Sequence, residues 1–148
     1  MMRALDYPPV WLLAALAIAW AEVSLWGRAF DLPLLAMLGS ALFWLGLALL
    51  ALAALSFLRA CSTIVPHRAP SALISTGLYR FSRNPIYLGD MLILAGLALH
   101  WGALSGLVLV PVLGRILTVR FILPEEARLR AAFGAQADAF FARTRRWV

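Results

Sequence analysis

The chain has 148 residues, of which 64% are hydrophobic and 14% charged, and its formal net charge is +6. Soluble domains are about half apolar and about a quarter charged, so this composition excludes an ordinary soluble globular core and favours a bilayer as the solvent. All thirteen positively charged residues are arginines that lie beside apolar runs, so we expect anionic lipid headgroups rather than nucleic acid as their partners.

Long apolar runs predict the membrane-spanning helices, because about 20 apolar residues are needed to cross a bilayer. The predicted spans are residues 8–26, 32–58, 85–100 and 102–122. A polar turn at Arg28 separates the first two, and the sequence His100-Trp101-Gly102 marks a hairpin between the last two. Gly39 and Gly46 place small residues on the second span, which predicts close helix packing there.

The positions of the arginines predict the topology. The loop 59–84 and the tail 123–148 carry most of the positive charge. By the positive-inside rule both face the cytoplasm, and so do both termini. We therefore expect one membrane domain over residues 1–148, an all-α polytopic helical bundle of about four spans with a cytosolic C-terminal helix. It would sit in the cytoplasmic membrane of a bacterium, and its oligomeric state stays open.

The first segment whose residues suit binding or catalysis precedes the third span. Asn84 and Pro85 suit an N-cap and the first position of a helix, and a helix N-terminus favours an anion. Arg83 beside it suits a bidentate pair with a carboxylate, while Tyr79 and Tyr87 offer aromatic faces to a cation. The structural alternative is a helix start with interfacial arginine and tyrosine anchors.

The second segment follows the last span. Glu125 and Glu126 come directly after Pro124, which predicts a helix whose first turn carries two acids. Acids at a helix start are common for structural reasons alone. Together with the first segment, they suit a zwitterionic cofactor with a cationic centre.

These two segments resemble the signature of integral membrane methyltransferases related to isoprenylcysteine carboxyl methyltransferase and phospholipid methyltransferases. The first motif reads roughly G-x-Y-x-x-x-R-H-P-x-Y-x-G and is matched by Gly77, Tyr79, Arg83, Pro85, Tyr87 and Gly89. The second reads roughly E-E-x-x-L-x-x-x-F-G-x-x-Y-x-x-Y and is matched by Glu125, Glu126, Leu129, Phe133 and Gly134. Asn84 replaces the motif histidine, and Ala137 and Phe140 replace tyrosines. The resemblance covers residues 73–148.

The resemblance implies an S-adenosylmethionine-dependent enzyme whose cofactor enters from the cytosol and whose hydrophobic or lipid-like acceptor enters from the bilayer. The implied cofactor-binding residues are Gly77, Tyr79, Arg83, Asn84, Pro85, Tyr87, Gly89, Glu125, Glu126 and Leu129. Glu126 is the expected contact to the ribose or amino group, with Glu125 as second choice. Arg83 and the N–H groups after Asn84 would hold the methionine carboxylate.

Two charges inside apolar runs complete the expected catalytic set of Glu126, Arg83, Asp90 and Arg115. Charges at membrane depth usually face the bundle interior, a cavity or a partner. Asp90 and Arg115 lie at nearly equal depth on the two helices of a hairpin, so we hypothesise that they meet near the methyl-transfer centre. Such a pair would either be structural, or Arg115 would orient an anionic acceptor while Asp90 stabilises the sulfonium. The alternative is that each reaches the headgroups separately.

The sequence leaves several functions open. The acceptor could be a prenylcysteine carboxylate, which the resemblance places first, or a phospholipid amine, a small thiol or another lipid. An NADPH-dependent membrane reductase shares the R-x-P-x-Y-x-G element, although the second motif and the small size argue against it. A non-enzymatic membrane scaffold is the third class. No cluster of His, Cys, Asp and Glu has metal-ligand spacing, so no metal is expected.

Overall fold

A computed structural model describes residues 6–59 and 73–148. The described α-helices are α1 (Pro8–Trp26), α2 (Pro33–Arg59), α3 (Pro85–Trp101), α4 (Leu104–Leu117), α5 (Leu123–Phe133) and α6 (Ala135–Arg143). A 3₁₀-helix covers Gly77–Arg80, and a π-helix covers Thr118–Ile122. Arg3 and much of the predicted cytosolic loop lie outside the described residues.

Three described helices are long and apolar enough to cross a membrane: α1, α2 and the helix Leu104–Phe133. The shorter apolar helix α3 accompanies them. Large apolar side chains such as Trp20, Met37 and Trp44 are exposed on the bundle, as expected where lipid is the solvent. These features confirm an all-α, polytopic membrane bundle, and the protein is an integral membrane protein.

Close backbone contact joins α2 and α3. A Cβ atom added at Gly46 would lie 2.7 Å from the carbonyl oxygen of Gly89, and one added at Gly96 would lie 2.6 Å from that of Gly39. The two glycine pairs recur after seven residues on each of two antiparallel helices, so they lie on one continuous seam. The expected role of Gly39 and Gly46 in close helix packing is confirmed.

The helix of the last predicted span is longer than the span itself. Instead of stopping at residue 122, the helix continues through the π-helix and α5 as far as Phe133. Pro124 has no N–H group, and in a regular α-helix its ring would collide with the carbonyl of Arg120. The wider π-turn, in which the Leu123 N–H bonds to the carbonyl of Thr118, accommodates the proline without breaking the helix.

This continuity corrects the expectation for the second motif. Glu125 and Glu126 do lie in the first turn of α5, as predicted, but α5 continues the π-helix, so that turn has no free N–H groups for the acids to face. Instead the break falls at Gly134, whose positive φ of 50° turns the chain into α6. The acids are therefore placed by the π-turn, and their partners come from elsewhere in the chain.

At the opposite end of the bundle, a carboxylate fixes the start of α4. Glu22 of α1 accepts hydrogen bonds from the backbone N–H groups of Leu104 and Ser105, at 3.1 and 2.7 Å. These are groups that a helix N-terminus leaves unpaired. Glu22 thus ties α1 to α4 and sets the direction in which α4 runs toward the motif residues.

Candidate functional site

The two motifs meet around the carboxylate of Glu126, which is 6% exposed. Arg146, close to the C-terminus, donates from Nε to Oε1 at 2.9 Å and from Nη2 to Oε2 at 2.8 Å. Arg83 of the first motif places Nη1 3.4 Å from Oε1. We call Arg83, Glu126 and Arg146 the Glu126 cluster, in which one bidentate pair and one further cation surround a buried acid.

Arg83 is held by an aromatic ring as well as by the acid. Its guanidinium carbon lies 4.7 Å from the ring centroid of Phe141, within the range of a cation–π contact. Burial lowers the pKa of Arg83, and the nearby Glu126 carboxylate opposes that shift. The Nε of Arg83 is buried without a hydrogen-bond partner in the part of the chain that the structure describes. One donor of the cluster is therefore unsatisfied within the described residues.

The C-terminal strap, residues 144–148, lies against the start of α3. The N–H of Arg83 donates to the carbonyl of Arg145 at 3.0 Å, and Asn84 Nδ2 donates to that of Arg146 at 2.9 Å. Asn84 therefore stands at the N-cap position without a side-chain capping bond, contrary to the simple reading of Asn84 and Pro85 as a capped helix start. Its side chain holds the strap instead.

A second cluster joins Glu125 to the tyrosines of the first motif. The hydroxyl of Tyr87 donates to Glu125 Oε2 at 3.4 Å. Tyr79 packs edge-on against Phe57 of α2 with ring centroids 5.9 Å apart. Burial, together with the negative charge of Glu125, raises the pKa of Tyr79, so this phenol stays neutral. Adjacent acids thus have different partners: Glu126 is bonded by Arg146 and faces Arg83, whereas Glu125 accepts the hydroxyl of Tyr87 and feels the charge of Arg128.

An apolar groove of about 390 Å³, wide open on its outer side and called the cavity below, lies between α3, α4 and the strap. It is lined by Leu88, Met91, Pro111, Gly114, Arg115, Thr118 and Trp147. Trp147 also packs against the hydrophobic core of the bundle. Because Trp147 follows Arg146 directly, consecutive strap residues reach the cavity and the Glu126 cluster.

Known proteins were compared with the chain. A family model described as phospholipid methyltransferase matches residues 34–136, more than half of the chain, and includes every matched residue of both motifs up to Gly134. The chain belongs to the phospholipid methyltransferase family. The resemblance inferred from the motifs is confirmed, and membership assigns the protein to the membrane methyltransferases. Comparisons with curated proteins and with solved structures gave no match.

In this methyltransferase the expected ion pair between Asp90 and Arg115 is not formed. Asp90 is 4% exposed and has no ion-pair partner among the described residues, whereas Arg115 is exposed at the cavity. Arg115 shares the cavity with Leu88 and Met91, and Asp90 is rotated away from that side of α3 by about 100° per residue. The sequence predicted nearly equal depths for the two charges, but the rotation of α3 turns Asp90 away from the side on which Arg115 lies.

Other motif residues occupy different surroundings. Gly77 is exposed and begins the 3₁₀-helix with φ of 62°, a conformation that favours glycine. Gly89 lies in the seam with α2, where a Cβ would meet Gly46 and Leu50, so helix packing already accounts for it. Pro85 is fully buried at the start of α3, and Leu129 is half-buried on α5.

The sequence did not single out Phe141, and it marked Arg146 and Trp147 only as part of a familiar C-terminal ending, without a role for either. Phe141 lies under two guanidinium groups, those of Arg83 and Arg130, at 4.7 and 4.8 Å from its centroid. The sequence offered one indication of this arrangement, namely Arg145, Arg146 and Trp147 after the last helix. That pattern is equally typical of an interfacial anchor.

Proposed function

We propose that the protein transfers the methyl group of S-adenosylmethionine to a hydrophobic or membrane-borne acceptor. One observation carries this proposal: the buried Glu126 cluster and the apolar cavity are contacted by neighbouring strap residues, Arg146 and Trp147. A polar site for a zwitterion therefore lies beside a lipid-like site, as transfer between a water-soluble donor and a membrane acceptor requires.

The residues of the site fit the cofactor. The buried, unpartnered Nε of Arg83 suits the methionine carboxylate. Glu126 keeps an acceptor position on Oε2 that suits an amino or hydroxyl group, because a carboxylate has about four lone-pair sites. The buried rings of Tyr79 and Tyr87 suit a cationic sulfonium.

When bound, the cofactor supplies an electrophilic methyl carbon, to which an acceptor lone pair bonds as the carbon–sulfur bond breaks and sulfur leaves as a neutral thioether. The chain mainly has to hold the donor and the acceptor in line and exclude water. The arginines and Glu126 orient the donor, and the cavity walls orient the acceptor. A carboxylate or thiolate acceptor needs no base, whereas an ammonium group must first lose a proton.

The acceptor that fits the cavity best carries an anionic group. Arg115 is charged, whereas the other residues that line the cavity are uncharged and mostly apolar. Arg115 has no ion-pair partner among the described residues. A prenylcysteine carboxylate and a phospholipid phosphate share this chemistry. We place the isoprenylcysteine-like carboxylate first and the phospholipid amine second. A small neutral thiol fits this arginine less well.

We expect Arg115→Gln to raise the KM for the acceptor by about tenfold, the size of one lost charge-assisted contact, while the affinity for S-adenosylmethionine stays within about twofold. Methyl-transfer kinetics with a prenylcysteine and with a phosphatidylethanolamine substrate would check this. Arg143→Gln is the matched loss of charge, because Arg143 is exposed and, among the described residues, bonded only to the carbonyl of Ala139 in its own helix. An unchanged acceptor KM in Arg115→Gln would remove Arg115 from the acceptor site.

The proposed activity is tested by titrating the purified chain with S-adenosylmethionine and, separately, with NADPH. Binding of the first alone supports a methyltransferase, and binding of NADPH alone supports the reductase. A chain that binds neither supports the scaffold. Incubation of membrane extract with radiolabelled S-adenosylmethionine then identifies the acceptor, since prenylated peptides, phospholipids and small thiols separate on extraction.

The cytosolic origin of the cofactor requires the Glu126 cluster to face the cytoplasm. We therefore expect both termini to be cytoplasmic, as the arginine distribution predicts. In a bacterial host, a fluorescent reporter that matures only in the cytoplasm should be active when fused at Val148. Activity of a periplasm-specific reporter at the same position would contradict this topology.

A further inference from the structure

Arg146 holds the acid of the site in one orientation. Its planar guanidinium makes two hydrogen bonds to Glu126, one to each oxygen, at 2.9 and 2.8 Å. A forked pair of this kind fixes both the plane and the rotation of a carboxylate. The Glu126 side chain is 8% exposed and that of Arg146 is 37% exposed, so the arginine approaches the buried acid from the outer side.

The backbone that carries Arg146 is itself fastened. The carbonyl of Arg146 accepts a hydrogen bond from Asn84, and the preceding carbonyl accepts one from the N–H of Arg83. On the other side, Trp147 packs against the core. Both contacts to the start of α3 come from the first motif, so the strap ties that motif to Glu126 of the second.

These contacts leave one hydrogen-bond acceptor position on the Glu126 carboxylate unoccupied. Arg146 takes one lone-pair site on each oxygen of Glu126, and Nη1 of Arg83 lies 3.4 Å from Oε1. Since a carboxylate has about four such sites, the second site on Oε2 remains. Its direction is set by the plane that Arg146 imposes.

On the basis of the proposed function, we propose that Arg146 is a positioning residue of the cofactor site. Its guanidinium orients Glu126 so that the remaining acceptor position on Oε2 receives a hydrogen bond from S-adenosylmethionine. Arg146 acts through Glu126 and needs no contact with the cofactor. The strap is thereby part of the site, although it follows the last helix.

The test measures S-adenosylmethionine affinity calorimetrically for the full-length chain and its variants in lipid nanodiscs. Arg146→Ala should weaken binding about tenfold, and Arg146→Lys should restore only part of it, because lysine keeps the charge without the fork. In a Glu126→Gln background, Arg146→Ala should add less than about a twofold loss, since residues that act through one another are not additive. Arg143→Ala, an exposed arginine bonded to its own helix, is the matched control.

Thermal unfolding of each variant separates positioning from structural support. An Arg146→Ala chain that melts earlier but binds S-adenosylmethionine as the wild type does would overturn the positioning role. Tighter binding would overturn it as well, because Arg146 would then compete with the cofactor for Glu126. A wild-type chain without S-adenosylmethionine affinity would instead overturn the proposed function, and the role of Arg146 with it.

Discussion

Glu126→Gln is expected to weaken the binding of S-adenosylmethionine by about 10- to 100-fold, the range of one lost hydrogen bond to a charged group. The substitution also leaves Arg146 and the half-buried Arg83 without their anion. Removing one partner of a buried ion pair is strongly destabilising. Calorimetric titration of the purified chain would measure the affinity, and thermal unfolding would report the cost in stability.

Glu125→Gln is the matched control, because it removes the same charge from the adjacent residue. Glu125 accepts the hydroxyl of Tyr87 and forms no ion pair with Arg83 or Arg146, so we expect a smaller loss of affinity. If Glu125→Gln weakens binding more than Glu126→Gln, the cofactor contact belongs to the tyrosine cluster. If both variants bind S-adenosylmethionine with the affinity of the wild type, the cofactor binds elsewhere.

Gly96→Ala is expected to destabilise the bundle by about 1–3 kcal/mol, the usual cost of adding a methylene to a packed site. Its new Cβ would lie 2.6 Å from the carbonyl oxygen of Gly39 and 2.6 Å from the backbone nitrogen of Phe43. Both are backbone atoms, so relief requires α2 and α3 to separate. Thermal unfolding in detergent would detect the change as a lower melting temperature.

Ala41→Val is the control for this seam, since it also adds bulk on α2 but at an exposed position. Its melting temperature should stay near that of the wild type. If Gly96→Ala melts at the wild-type temperature, the two helices do not approach as closely as the structure shows. A comparable loss in Ala41→Val would instead point to a contact on the lipid-facing side.

The features predicted from sequence are those that depend on local pattern. Apolar runs predicted the all-α membrane bundle, since a hydrocarbon solvent requires each span to satisfy its own backbone hydrogen bonds. Gly39 and Gly46 predicted the α2–α3 seam because small residues permit close backbone approach. The residues of both motifs predicted the family for a similar reason, as their order along the chain is enough to recognise it.

The π-turn shows where local pattern misled. Proline before two acids is typical of a helix start, and the sequence therefore predicted a separate tail helix at Glu125 and Glu126. The chain instead absorbs Pro124 in a wider turn and continues the helix to Phe133. A new helix start and a π-turn both avoid the clash of the proline ring with the preceding turn. In the continuous helix that forms, the π-turn residues Phe121 and Ile122 pack in the core.

By itself, the sequence determined the solvent, the number of apolar runs and the family. Only the tertiary structure decided which charges meet: Glu126 pairs with Arg146, 20 residues away, and Asn84 reaches the carbonyl of that arginine across 62 residues. Asp90 and Arg115 stay apart despite the nearly equal depth that the sequence predicted for them. Hydropathy and depth are properties of one helix, whereas pairing depends on how each helix is rotated and where the chain turns back, and packing sets both.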